Sequence, residues 1–156
     1  MDEYLSSISE DQLLGLIDDF IETAHGRNSA LDGVVALLAA NFKHFTWTGI
    51  YIFEDGVLKL GPFRGTPSPH TTITLDKGIC GAAFSEKQTI VVPDVNADRR
   101  FLACSLSTCS EVVVPIFDKH GSPVGEIDID SDTPNAFTDA DRGMLEKVAG
   151  KLGKLF

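Results

Sequence analysis

Two segments near the C-terminal end of the chain alternate apolar and polar residues with a period of two. They cover residues 110–116 and 125–130, and their apolar positions are valine or isoleucine. The acidic positions are Glu111 in the first segment and Glu126, Asp128 and Asp130 in the second. Successive side chains of a β-strand point to opposite faces. Each segment therefore predicts a strand with one core face and one acidic face.

The remaining patterns predict an α+β domain built around an antiparallel sheet of about six strands. Helices are expected at residues 9–23, 30–42 and from Thr138 onward, with a short helix at 77–84. Strands are expected at residues 47–53, 57–63, 71–75, 89–92, 110–117 and 122–130. The helices near the two ends are expected to pack on one face of the sheet, which leaves the other face for a ligand pocket. A chain of 156 residues with 43% hydrophobic content predicts one domain over residues 1–156.

The charge balance excludes two classes of partner. A net charge of −10 and a pI near 4.6 disfavour nucleic acid and anionic membranes, because both require a basic surface. No apolar run approaches the ~18 residues of a membrane span, and the first residues lack the pattern of a signal peptide. We therefore expect a cytoplasmic protein.

The chain has three cysteines, at positions 80, 104 and 109. An odd number in a chain of this size indicates free or catalytic thiols in a reducing compartment. They form no Cys-x-x-Cys pair, so no metal site is expected. Cys80 is predicted near a helix N-terminus, close to Lys77, and both features favour its thiolate. Cys104 falls on a polar connection with Arg99 and Arg100 nearby, which also favours a thiolate.

The acidic strand face has two interpretations. It could be the solvated outer face of the sheet. Asp is depleted in strands, however, and Asp128 and Asp130 would repel each other on one face. Such repulsion is tolerated more readily where a cation or a proton binds. Trp47 and Tyr51, four residues apart on a predicted strand, share a face and could belong either to the core or to a pocket.

Several motifs occur together in a recognisable order, and together they resemble the free methionine-(R)-sulfoxide reductases, which are small GAF-domain proteins. The likeness covers roughly residues 30–156. The motifs are Trp47-Thr48-Gly49-Ile50-Tyr51, Leu60-Gly61-Pro62-Phe63, Gly78-Ile79-Cys80-Gly81, Leu102-Ala103-Cys104, Ser110-Glu111-Val112 and Asp128-Ile129-Asp130-Ser131.

The resemblance implies a site and a chemistry. Cys104 matches the nucleophile that attacks the sulfoxide sulfur. The acidic positions that hold the methionine ammonium and protonate the sulfoxide oxygen correspond to Glu111, Asp128 and Asp130. The pocket walls correspond to Trp47 and Tyr51. The resemblance further implies no bound cofactor, a thioredoxin-type reductant supplied with NADPH through thioredoxin reductase, and a homodimer formed through the terminal helices.

The chain departs from the family at one position. The family typically has a cysteine in the loop about ten residues before the Gly-x-Cys-Gly motif, and residues 66–71 contain none here. Cys80 or Cys109 could instead resolve a sulfenic acid on Cys104, as could an external thiol. Cys80 is the preferred candidate. The alternative is a non-catalytic GAF module that binds a small molecule as a sensor.

Overall fold

The sheet is six-stranded and antiparallel throughout, in a computed structural model that describes residues 8–102 and 106–156. The strands are β1 (Trp47–Glu54), β2 (Val57–Arg64), β3 (Thr72–Ile73), β4 (Ile90–Val92), β5 (Ser110–Phe117) and β6 (Pro123–Ser131). Their spatial order is β3-β2-β1-β6-β5-β4. The helices are α1 (Glu10–Thr23), α2 (Arg27–Asn41), α3 (Gly78–Glu86) and α4 (Asp139–Leu152). The predicted α+β class and the strand number are confirmed.

One face of the sheet is covered by α1, α2 and α4. Their apolar side chains pack on the even-numbered face of β5 and the odd-numbered isoleucines of β6. The sheet residues of this core include Ile50, Val112, Val114, Ile116, Ile127 and Ile129. The helices near the two ends of the chain therefore lie on one face, as the sequence predicts.

The opposite face carries a second, smaller core. Trp47 and Tyr51 of β1 and Val113 of β5 pack there against α3, which contributes Ile79 and Phe84. This face also bears the acidic residues of β5 and β6, because they share its strand parity. A site on this side is therefore enclosed between the sheet, α3 and the connections that lead to it.

Local sequence explains how the helices begin. Ser9 and Gln12 form a capping box at the start of α1, and Thr138 and Asp141 form another at the start of α4. By contrast, α2 begins three residues before the predicted position, at Arg27, because Gly26 serves as its N-cap.

The third strand is shorter than predicted. Only Thr72 and Ile73 pair with β2, whereas the prediction extended to Leu75. The chain turns at this point, since the backbone amide of Lys77 donates a hydrogen bond to the carbonyl of Thr74 at 3.1 Å. Among the described residues, no helix combines the length and the apolar character that a membrane span requires.

Candidate active site

Four carboxyl groups lie together on the face of the sheet that α3 covers. Glu111 pairs across the strands with Asp130, and Asp128 follows two residues before Asp130 on the same face. The exposed fractions are 4% for Glu111, 0% for Glu126, and 1% each for Asp128 and Asp130. The interpretation of this face as solvated is therefore wrong. The predicted strand parity is correct, but α3 and neighbouring loops shield the acidic side chains from water.

A cavity opens onto two of these carboxyls. Glu111 and Asp128 line it together with the thiol-bearing residue Cys80. The other lining residues are mostly apolar and are Tyr51, His70, Ile73, Gly78, Ile79 and Leu102. The cavity thus offers an acidic end and an apolar wall, a combination that suits a small molecule with a cationic group and a short apolar chain.

Two glycines bring Cys80 to the cavity. Gly78 begins α3 with a φ of +69°, a left-handed conformation that glycine adopts readily. A Cβ atom on Gly81 would lie 2.7 Å from the carbonyl oxygen of Leu75, so a side chain there would push α3 away. The Gly-Ile-Cys-Gly motif therefore sets the position of the Cys80 thiol against the sheet.

The Cys80 thiol is held as a hydrogen-bond donor rather than as a thiolate. Its Sγ donates to Oδ2 of Asp128 at 3.3 Å. Burial raises the pKa of Cys80 well above its usual value, and the negative charges of Asp128, Glu126 and Glu111 raise it further. The expectation that the start of the helix and Lys77 would favour the Cys80 thiolate is therefore wrong. Burial, reinforced by the three carboxyls, outweighs the helix dipole.

Burial also favours the protonated form of two carboxyls in the acidic cluster. Burial raises the pKa of Asp128, and hydrogen bonds from Glu111 and Cys80 offset part of that rise. Burial also raises the pKa of Glu126 well above its usual value, with the charge of Asp128 as the second cause. A buried carboxyl that stays protonated near neutral pH can act as a general acid.

Burial of Glu126 should make the stability of the protein depend on pH. The unfolded-state pKa is about 4.5, and the folded-state pKa is higher. Stability from this group is therefore complete below that value and is lost as pH rises toward the folded pKa. We expect Glu126→Gln to be more stable than the wild type, by a margin that grows by at most about 1.4 kcal/mol per pH unit. Urea unfolding between about pH 5 and about pH 8 measures the margin.

The exposed residue Glu22 offers a matched control for this experiment. Glu22→Gln should give a margin that stays near zero across the same pH series. A margin for Glu126→Gln that does not change with pH would show that Glu126 is ionised in the folded protein.

The other aromatic and acidic candidates line a second cavity. Its walls include Trp47 and Asp130 as well as Asp132. The remaining lining residues are Thr46, Thr66, Ser107 and Thr108. The sequence predicted one pocket with Trp47, Tyr51 and all three carboxylates. Tyr51, Glu111 and Asp128 line the first cavity and Trp47 and Asp130 line the second, while Glu111 and Asp130 are cross-strand partners. A single substrate pocket that includes all five stays a prediction.

Both candidate aromatic residues attach the loop 65–71 to the sheet. Nε1 of Trp47 donates a hydrogen bond to the carbonyl of Thr66 at 2.9 Å. The hydroxyl of Tyr51 donates to the carbonyl of His70 at 2.8 Å. These bonds fix the loop over the cavities at both of its ends, so Trp47 and Tyr51 shape the site through the backbone as well as through their rings.

The structure describes only one of the two other cysteines. Cys104 lies outside the described residues. Cys109 lies directly before β5, is partly buried, and its Sγ donates a weak hydrogen bond to the carbonyl of Ser107 at 3.5 Å. Cys109 is absent from the described linings of both cavities, whereas Cys80 lies in one of them.

Sequence reasoning left Glu126 out of the site, although it placed the residue on the acidic face. The signal that could have included it is the same period of two that identified Asp128 and Asp130. The apolar lining residues Ile73, Ile79 and Leu102 carry no such signal, because an apolar residue beside a cavity looks like any core residue in sequence.

Residues 19–155 match the GAF domain family. The chain is therefore a GAF-domain protein, and the predicted fold is confirmed. The proposed extent of the domain, residues 1–156, goes beyond this match and stays a prediction.

Similar proteins show to which group of GAF-domain proteins the chain belongs. GAF domain-containing protein A of Dictyostelium discoideum is 34% identical over 139 residues, covering 88% of this chain and 86% of its own. The free methionine-R-sulfoxide reductase of Escherichia coli is 33% identical over 127 residues, covering 81% and 76%. The structure of the Neisseria meningitidis free methionine-R-sulfoxide reductase with its substrate aligns with a TM-score of 0.89 at 31% identity, covering 97% and 93%. The chain belongs to the free methionine-R-sulfoxide reductase family of GAF-domain proteins.

Proposed function

We propose that this protein reduces free L-methionine-(R)-S-oxide to methionine. The observation that carries the proposal is the buried cavity in which the Cys80 thiol meets the carboxyls of Asp128 and Glu111. The family supports the same reaction, since its members from E. coli and N. meningitidis carry the name of this activity.

The cavity supplies what the substrate needs. The acidic end would hold the methionine ammonium, while Ile73, Ile79 and Leu102 would contact the apolar part of its side chain. No lysine or arginine belongs to the described lining of either cavity, so an anionic ligand would be poorly held. A free amino acid fits this site through its ammonium group and its side chain.

The chemistry requires a nucleophile and an acid together. In the proposed reaction, the thiolate of Cys104 attacks the sulfoxide sulfur, and a carboxyl of the cluster protonates the oxygen. The sulfur–oxygen bond of the substrate breaks as the hydroxyl passes to the Cys104 sulfur, so methionine leaves and Cys104 becomes a sulfenic acid. A second thiol then displaces water from that sulfenic acid and forms a disulfide, which a dithiol reductant opens. Asp128, which lines the first cavity and whose pKa is raised by burial, is the proposed acid.

The resolving thiol in this proposal is Cys80. Oδ2 of Asp128 accepts the Cys80 hydrogen bond and could remove the thiol proton as Cys80 attacks the sulfenic acid. We expect Cys80→Ser to lower thioredoxin-supported turnover about tenfold or more, while Cys109→Ser lowers it far less. Both variants should still form one equivalent of methionine in a single turnover, because resolution follows release of the product.

The same pair of variants assigns the thiol if the expectation fails. Loss of thioredoxin-supported turnover in Cys109→Ser, with Cys80→Ser fully active, would identify Cys109 as the resolving cysteine. Dithiothreitol should restore turnover to whichever variant is impaired, since an external thiol can replace the missing one.

Thioredoxin, reduced by NADPH through thioredoxin reductase, is the proposed reductant, with no bound cofactor. A reducing compartment such as the cytoplasm would keep the three thiols available. We also propose a homodimer formed through the terminal helices, where Leu16 of α1 exposes 41% of its surface. Sedimentation equilibrium of the wild type and of Leu16→Glu tests the dimer directly.

The test of the function is consumption of NADPH with thioredoxin, thioredoxin reductase and each epimer of free methionine sulfoxide. We expect turnover with the R epimer and none with the S epimer. Equal turnover of both epimers would exclude a stereospecific site of the proposed kind.

A non-catalytic GAF sensor module is the second candidate function. The observation that favours it is the absence of cysteine from residues 66–71. Calorimetric binding of methionine or its sulfoxide, without turnover even in dithiothreitol, would support this candidate and exclude the reductase.

A further inference from the structure

Three possible metal ligands meet inside the first cavity. The Sγ of Cys80 and one carboxylate oxygen each from Glu111 and Asp128 all lie within 4.8 Å of one another, and all three residues are buried. With a Zn–S distance of ~2.3 Å and a Zn–O distance of ~2.1 Å, a tetrahedral zinc site places a sulfur and an oxygen ligand roughly 3.5 to 3.7 Å apart. The distance from Cys80 Sγ to Asp128 Oδ2 is 3.3 Å, slightly shorter than this range.

The charges around these ligands favour a cation. Glu126 is fully buried, and neither of its carboxylate oxygens has a hydrogen-bond partner within the described ranges. Oδ1 of Asp128 is likewise buried without a hydrogen-bond partner among the described residues. A buried carboxyl that lacks a hydrogen-bond partner is costly, and most of all when it is ionised. A divalent cation would lower that cost for the whole cluster.

We propose that the reduced protein binds a zinc-like divalent cation through Cys80, Asp128 and Glu111. A thiolate beside two carboxylates selects borderline metals such as Zn²⁺ or Co²⁺ over Mg²⁺ and Ca²⁺, which prefer oxygen ligands alone. Three protein ligands leave a fourth position open to water or to another small ligand. Binding deprotonates the Cys80 thiol and releases protons.

Metal binding and the proposed reaction exclude each other. The cation takes the place that the methionine ammonium would occupy, and it engages the thiol that would resolve Cys104. The inference goes beyond the proposed reductase activity, since the ligands are present in the fold whether or not the protein turns over methionine sulfoxide.

Titration of the reduced wild type with Co²⁺ tests the site without any activity assay. We expect one equivalent to bind, with a near-ultraviolet thiolate-to-cobalt charge-transfer band and the intense visible bands of tetrahedral cobalt. Stoichiometric Zn²⁺ should displace the cobalt and remove both sets of bands. The companion experiment is calorimetry with Zn²⁺ in two buffers of different ionisation enthalpy, which should reveal proton release.

Single substitutions identify the residues that bind the metal. Cys80→Ser should abolish the charge-transfer band, and Asp128→Asn should weaken Co²⁺ binding about tenfold or more. The matched control is Cys109→Ser, which removes a thiol that lies outside the described cavity lining and should leave the spectrum unchanged. Far-ultraviolet circular dichroism identifies any variant that fails to fold. If one fails, calorimetry of Zn²⁺ binding to Glu111→Gln takes the place of that variant.

Three results would contradict the proposed metal site. They are absence of Co²⁺ binding to the reduced wild type, an unchanged charge-transfer band in Cys80→Ser, and loss of that band in Cys109→Ser. Failure of the reductase assay would not affect any of these readouts, so the two proposals fail independently.

Discussion

Replacing Cys104 by serine should abolish reduction of methionine-(R)-S-oxide. A serine hydroxyl is a far weaker nucleophile than a thiolate, and it cannot form the sulfenic acid that the reaction passes through. Neither of the other thiols is suited to replace it. Burial and three carboxyls raise the pKa of Cys80, and Cys109 lies outside the described linings of both cavities. We expect kcat/KM to fall by more than about 10³-fold.

Single-turnover release of methionine is the measurement that isolates this step, because it requires no resolving thiol and no reductant. Calorimetry should show that Cys104→Ser still binds methionine sulfoxide, which separates loss of chemistry from loss of the site. Retention of wild-type turnover by Cys104→Ser would refute the proposed mechanism at its first step.

The sequence allowed the acidic face to be predicted but not its burial. A period of two in residues 125–130 assigns Asp128 and Asp130 to one face of a strand wherever that strand lies in the sheet. The acidic face is covered by α3, which lies far away along the chain and has no clear amphipathic pattern. Local periodicity contains no information on that contact, so solvation and enclosure were both compatible with the pattern.

Cys80 illustrates the same limit for electrostatics. The neighbours of Cys80 in sequence are a helix start and Lys77, and both favour the thiolate. Its neighbours in space include Asp128, 48 residues further along the chain, and they favour the thiol. The pKa of a buried group follows the charges that the fold brings near it, and the sequence alone ranks those charges poorly.

The loop 65–71 contributes a residue to each cavity. Trp47 and Tyr51 do lie on the same side of β1, as their spacing predicted. Their hydrogen bonds to the carbonyls of Thr66 and His70 hold the loop across the face between them. Loop conformation depends on such contacts with distant residues, so the sequence alone does not predict how this loop covers the face.

Removing the acidity of Asp128 should have the second-largest effect on activity. Asp128 combines three properties of the site: it lines the first cavity, it accepts the hydrogen bond of Cys80, and its pKa is raised by burial. Asp128→Asn keeps the shape of the side chain but cannot donate a proton as an acid. We expect kcat/KM to fall about 10² to 10³-fold, with a higher KM and a lower kcat.

The pH profile distinguishes the role of Asp128 as an acid from its role in binding. A general acid acts in its protonated form, so wild-type kcat should fall as pH rises through the raised pKa of the cluster. Asp128→Asn should lack that decline, because the group that titrates is gone. Asp139→Asn, an exposed residue at the start of α4, is the matched control and should retain both the rate and the pH profile. If Asp128→Asn lowers only the affinity and keeps the wild-type decline with pH, the proton must come from another group, and Glu111, which hydrogen-bonds with Asp128, becomes the acid to test.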